Sequence, residues 1–192
     1  MKKLCHQRGF TLIEVLITIA LIAVFAVIAV PSYRALTADN QISSALNDFA
    51  NTLGAARAAA VARGETVIVC PSTNALKTKN PTCSSQTANP QHWNTGWISF
   101  VDTAGSNSFT AGDVILRVHG PLANGVTLLS SGGGGTVANY IGFNRMGFAQ
   151  PTFAGATTQL VVQACATGTG HVRGGKVMLK LAGGLSLGSG GC

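Results

Sequence analysis

Glu14 lies four residues into an apolar run that continues from Val15 to Val30 with only Thr18 inside it. A carboxylate at that depth in a membrane costs about 2.5–3.5 kcal/mol, so it calls for a cationic partner or for a route to the headgroups. Cysteine is the second chemically active type. Cys5 precedes the apolar run, and Cys70, Cys83, Cys165 and Cys192 follow it. Four thiols outside the cytoplasm suit two disulfides, for which three pairings exist. The preferred set is Cys70–Cys83, closing the loop PSTNALKTKNPT, with Cys165–Cys192 tying down the C-terminal hairpin. Each bridge is worth about 3 kcal/mol in the chain-entropy account. Zinc would need CxxC-type spacing or adjacent histidines, and His92, His119 and His171 are scattered. Neither a metal nor a cofactor is expected.

Other stretches imitate catalytic or ligand motifs without completing them. GHVRGGKV has the G-x-x-x-x-G-K spacing from Gly170 to Lys176, but Val177 stands where a phosphate loop places Ser or Thr for magnesium. A turn between strands explains it better. DTAGSNSFTAGD lacks the alternating carboxylates of an EF-hand loop and reads as a solvated hairpin or Ω-like loop. No Ser or Cys nucleophile with a His base and an orienting acid can be assembled from the few acidic residues. The chain is therefore not expected to be an enzyme.

The elements that position these residues follow from periodicity. After Pro31, a kink position, Ile42, Leu46, Phe49, Leu53, Ala56 and Ala60 recur at helical spacing, with Asp39, Asn40, Asn47, Asp48, Arg57 and Arg63 between them. Gly64 suits a C-terminal cap. A helix from Thr11 to Arg63 would be about 80 Å long. Beyond Glu65 the texture changes to short β-branched runs: 66–69, 97–101, 114–118, 126–129, 139–143, 160–164 and 176–181. Turns are expected at Ser130–Gly135 and Gly168–Gly175. One helix followed by strands predicts an α+β fold, the second half of the helix laid on an antiparallel sheet.

Composition sets the class. The chain has 192 residues, 24 of them glycine, only 10% of them charged, and a net charge of +7. This suits an apolar segment joined to one Gly-rich β domain rather than a disordered tail. Lys2, Lys3 and Arg8 all precede the apolar run, and without them the net charge falls to +4. Little remains to attract a polyanion. The run from Phe10 to Val30 is long enough to span a bilayer. It is longer than a secretory signal, although alanines at 20, 23, 26 and 29 keep that alternative open.

Gly9-Phe10-Thr11-Leu12-Ile13-Glu14 resembles the leader junction of type IV pilins and type II secretion pseudopilins. The resemblance implies cleavage after Gly9 by a prepilin peptidase and N-methylation of Phe10. It also implies pairing of Glu14 with a neighbouring subunit's terminal ammonium, a registry device for assembly. Residues 1–9 would be the leader, 10–34 the transmembrane and filament-core half of the helix, and 35–192 the periplasmic domain. Further along, VIVCPS, Cys83, Trp93, Gly96, Trp97, Phe100, Asp102 and the Ile115-Leu116-Arg117 strand resemble the GspH/FimT branch of minor pilins and pseudopilins. IGFNRMGFA and QLVVQAC fit as well. Both tryptophans are expected in core or rim packing.

The branch implies a structural minor pilin that helps prime assembly or forms part of the tip. Its partners would be other major and minor pilins, the inner-membrane assembly platform and the inner membrane itself. The mature chain would sit in that membrane as a single-pass protein before reaching the pilus at the cell surface. A type II secretion pseudopilin is one alternative. A DNA-uptake pilin is another, because some members of the branch bind DNA through a basic C-terminal segment. Here Gly183-Gly184-Leu185-Ser186 has lost both arginines of that segment, leaving His171, Arg173, Lys176 and Lys180 as a small basic patch. So few phosphate contacts would give weak, salt-dependent binding.

Overall fold

The computed structural model describes residues 10–77, 80–84, 92–123, 125–132, 139–150, 159–166 and 173–191. Gly9, His171 and Cys192 lie outside them. The chain divides into two compact units, Met1–Thr37 and Ala38–Cys192.

Within the first unit the chain is helical from Leu12, in the element α1, Leu12–Arg63. Thr11 caps it: the Glu14 N–H lies 3.4 Å from Thr11 Oγ1 and 3.1 Å from the Thr11 carbonyl. Thr11-Leu12-Ile13-Glu14 has capping-box spacing. Residues 10–34 are all exposed, and helix continues through Pro31 even though proline removes one backbone donor. α1 is long and apolar enough to cross a membrane.

The second unit combines the rest of α1 with two four-stranded antiparallel sheets. The strands are β1 (Val67–Pro71), β2 (Trp97–Val101), β3 (Val114–His119), β4 (Val126–Gly132), β5 (Ile141–Phe143), β6 (Gln159–Ala166), β7 (Arg173–Lys180) and β8 (Leu185–Gly191). The first sheet has the order β3-β2-β1-β5 and the second β4-β6-β7-β8. A 3₁₀ turn, His92–Thr95, precedes β2. The α+β architecture is the expected one, but two sheets stand where one was anticipated. The helical stripe Ile42, Leu46, Phe49, Leu53, Ala56 and Ala60 packs against both. It meets Val67, Val69, Trp97, Val101, Ile141 and Phe143 of the first sheet, and Leu128, Leu160, Val162, Ala164, Val177 and Leu179 of the second. Gly64, at φ 67°, ends α1, and its N–H donates to the Ala60 carbonyl at 3.0 Å.

The sheets differ in how they are covered. β6 alternates buried and half-exposed positions, because α1 covers only one face. β1 and β2 are buried at every position. Their second face, with Ile68, Cys70, Ile98 and Phe100, forms a separate core with Ala75, Cys83, Phe109 and Tyr140. The Cys70–Cys83 disulfide and the loop after β2 thus roof the first sheet.

Two expected turns are corrected by the structure. Ser130–Gly132 extends β4, and Arg173–Gly175 opens β7. Glycine is a poor strand former by propensity, but here it is a packing requirement: a Cβ on Gly175 would collide with Leu46 Cδ1. β8, unforeseen in a Gly/Ser-rich tail, pairs with β7 along its whole length.

Candidate functional site

Glu14 occupies the first turn of α1, where a carboxylate is favoured by the helix dipole and where the Thr11 cap gives the position a local structural reason as well. The T-x-x-E spacing of Thr11 and Glu14 is a sequence signal for that cap which the sequence reading did not use. Phe10 immediately precedes the cap and is fully displayed, at 82% of its surface. The helix it heads presents Leu12, Ile13, Leu16, Ile17, Ile22, Phe25 and Ile28 on every side. Such a helix suits an apolar medium that surrounds it completely.

Within the second unit the W-x-x-G-W stretch is a structural node. Phe49 of α1 meets the rings of Trp93 and Trp97 edge-on, at 5.1 and 5.2 Å. Trp97 Nε1 donates to Thr52 Oγ1 at 3.1 Å, and His119 stacks on the Trp97 indole at 3.9 Å. His119 also lies 3.6 Å from Asp48, an ion pair only when the imidazole is protonated. Gly96 has φ 113°, and a Cβ there would strike the His119 carbonyl. Asn94 accepts the Leu128 N–H at 2.5 Å through its side chain and the Leu122 N–H at 2.9 Å through its carbonyl, tying this turn to the second sheet. Both tryptophans are buried, as expected of core packing.

Cys70 and Cys83 are joined by a disulfide across 13 positions. Inside the loop, Asn74 Oδ1 accepts from the Thr82 N–H and the Ser72 hydroxyl, both at 2.9 Å. Cys165 is also disulfide-bonded; its expected partner, Cys192, lies outside the described residues.

The loop DTAGSNSFTAGD uses its carboxylates internally. Asp102 accepts the N–H groups of Ser106 and Asn107, and Asp113 accepts from the N–H and hydroxyl of both Thr103 and Thr110. Partial burial pushes the Asp113 carboxyl upward, but the four hydrogen bonds from Thr110 and Thr103 outweigh it and hold it below the usual aspartate value.

Of the four basic residues singled out in the C-terminal hairpin, Arg173 begins β7 opposite Gly191, while Lys176 and Lys180 lie on the sheet face away from α1. Four residues of extended strand separate the two lysines by about 13 Å. Lys176 is paired with Gln163, and Lys180 with Gln159. Both lysines therefore face away from the helix, with the opposing glutamines of β6 beside them.

Arg57 was read only as a polar helix position. Its Nε donates to the Gly147 carbonyl at 3.0 Å and its guanidinium to the Ala182 carbonyl at 3.2 Å, clamping the turns after β5 and β7 against α1. The partners lie 90 and 125 positions away in sequence, so no local pattern announces them.

Comparison with known proteins adds the family. Residues 45–183 match the family described as "Type II transport protein GspH", and residues 4–30 match the prokaryotic N-terminal methylation motif. A fimbrial protein of Pseudomonas aeruginosa is 37% identical over 62 residues, 32% of this chain and 40% of that protein. The fimbrial protein EcpC of Eikenella corrodens is 51% identical over 41 residues, 21% of this chain and 27% of that one. The match thus spans two-fifths or less of these relatives' length. Among solved structures, the type IV minor pilin FimU of Pseudomonas aeruginosa superposes with a TM-score of 0.53 at 22% identity, covering 79% of this chain and 91% of that one; this establishes a shared fold. Because the first of these families covers well over half of the sequence, the chain belongs to the GspH family of pilin-like proteins.

Proposed function

We propose that this chain is a structural minor pilin of a type IV pilus. It waits in the inner membrane as a single-pass protein with residues 35–192 in the periplasm. It then enters a filament among other pilins, helping to prime assembly or form the tip. Cleavage after Gly9 by a prepilin peptidase would expose Phe10 for methylation and leave Glu14 as the fifth residue. The carrying observation is the helix segment 12–30, apolar on all sides and exposed, with one carboxylate in its first turn. In a filament core that carboxylate and a neighbour's terminal ammonium would have only each other, and removing one partner costs about 3–5 kcal/mol. The subunit contributes surfaces; the work of extraction falls to the assembly platform and its motor. Lys176 and Lys180, with Arg173 and His171, would be the contacts if DNA is also held. The family's printed description favours a second reading, a type II secretion pseudopilin.

Glu14→Ala and Glu14→Gln separate charge from capping, because Gln retains the capping-box geometry. Both variants are expected to reach the membrane at wild-type level, processed to the same size, yet fall at least tenfold in filaments sheared from the cell surface. Wild-type amounts of both variants in the sheared fraction would refute the registry role. Wild-type protein confined to the envelope, with surface pili unchanged on its deletion, would support the secretion reading.

A further inference from the structure

The two sheets have four edges, and three are blunted against pairing with another chain. β3 carries Arg117, and its register with β2 shifts between Ser99 and Phe100. β5 is three residues long, with Phe143 bridged to Ala149. β4 has its Leu128 N–H taken by the Asn94 side chain. β8 differs. Its seven residues, Leu-Ser-Leu-Gly-Ser-Gly-Gly, contain no charge and no proline, and its register with β7 is unbroken. Long, uncharged edges are normally avoided because they template strand addition.

The ladder shows which backbone groups β8 offers. Lys180 N–H donates to the Gly184 carbonyl at 2.9 Å. Hydrogen-bonded and non-hydrogen-bonded pairs alternate in an antiparallel ladder. Ser186, Gly188 and Gly190 therefore bond to β7, and the N–H and C=O groups of Leu185, Leu187 and Ser189 point outward. No other strand among the described residues pairs with them. Leu187 is opposite the buried Val177, so its side chain is on the α1 side, yet it is 55% exposed. With Ser43, Leu46, Asn47 and Gly188 it lines an open cleft of about 320 Å³.

We propose that β8 accepts an extended, uncharged strand from a different filament subunit, which becomes the fifth strand of the second sheet and places an apolar side chain in the cleft between Leu187 and Leu46. Main-chain bonds would supply affinity and the cleft selectivity. A second copy is a poor occupant. Two β8 strands paired antiparallel are related by a two-fold axis perpendicular to the sheet. That axis also reverses the α1 segment lying on the sheet, so the two chains would enter residue 38 from opposite directions, against a common membrane. The inference rests on the filament reading given above.

The test uses the full-length protein in its own cells, with photoreactive benzoylphenylalanine at Ser186 and, as a control, at Val118 on the β3 edge. Irradiation is expected to give an adduct with another pilin at Ser186 at least tenfold stronger than at Val118, the linked peptide being a strand segment. Ser189→Pro removes one outward N–H without touching the ladder, and Leu187→Lys charges the cleft. Each should cut the adduct at least fivefold at unchanged membrane level. Equal adducts at both sites, an adduct only with a second copy, or indifference to both substitutions overturns the inference. If the protein carrying benzoylphenylalanine at Ser186 is in sheared filaments but gives no adduct, the edge proposal falls and the filament reading stands. If wild-type protein is absent from filaments, both fall.

Discussion

Residues 12–37 and 38–63 belong to the same helix and solve opposite problems. In the first stretch every residue up to Arg34 is exposed, although most are Leu, Ile, Val, Phe or Ala. In the second, fewer residues are apolar, yet Phe49, Leu53 and Ala60 are completely buried. Hydrophobicity alone does not put a side chain inside. The second stretch confines its apolar residues to one stripe, which two sheets can cover; the first is apolar all round, so no single protein face could satisfy it. The contrast locates the source of order: residues 38–63 are stabilised by their own chain, residues 12–37 by whatever surrounds them.

Paired truncations test that division with the largest effect. Phe49→Ala removes the ring held between two tryptophans and should cost about 3–5 kcal/mol in urea unfolding of the detergent-solubilised full-length protein. Phe25→Ala, on a side chain 70% exposed, should stay within about 0.5 kcal/mol. Comparable losses from both would show that the two stretches fold as one, and the distinction would be broken.

The disulfide sharpens the comparison on the side of the second unit. Cys70→Ala with Cys83→Ala should lower stability by about 3 kcal/mol, the value for a closed loop of this length. The loss should appear as faster hydrogen exchange in β1, β2 and the roof over them, with exchange in residues 12–37 unchanged. A loss below about 1 kcal/mol would mean that the Asn74 hydrogen bonds and the buried Ala75 hold the roof without the bridge.

What was legible in the sequence had local causes. α1 was expected from Thr11 to Arg63 and runs from Leu12 to Arg63, because its stripe and Gly64 act within a few residues. Strand positions followed from β-branched runs, and β2 falls on its expected residues, Trp97–Val101. The split into two sheets was not legible. β1 and β2 are buried on both faces, so their sequences carry no alternation to reveal what covers each side. β8 was hidden because its glycines are selected by packing and pairing rather than propensity. The same limit applies to function. The junction around Gly9 and Glu14 is contiguous and could be read directly, whereas the Arg57 clamp and the β8 edge, unpaired among the described residues, exist only after residues far apart in the chain have met.

The smallest expected effect asks whether surface loops of the second unit add to its independence. Asp113 closes the loop after β2 by accepting from Thr103 and Thr110, which holds its carboxyl below the usual aspartate value of 3.8. A group with a depressed folded-state pKa contributes stability above its unfolded value and loses that contribution as pH falls through the folded value. The wild type should therefore exceed Asp113→Asn in Tm at pH 7, by about 2 °C at most because the group is largely solvated. The gap should persist to about pH 4 and close below it, as the wild-type carboxyl protonates and the variant does not respond. A gap independent of pH down to 2 would assign the difference to the loss of an acceptor oxygen rather than to charge. A gap that widened in acid would contradict the hydrogen bonding of this loop, since the charged carboxylate would then be the less favoured form in the folded chain.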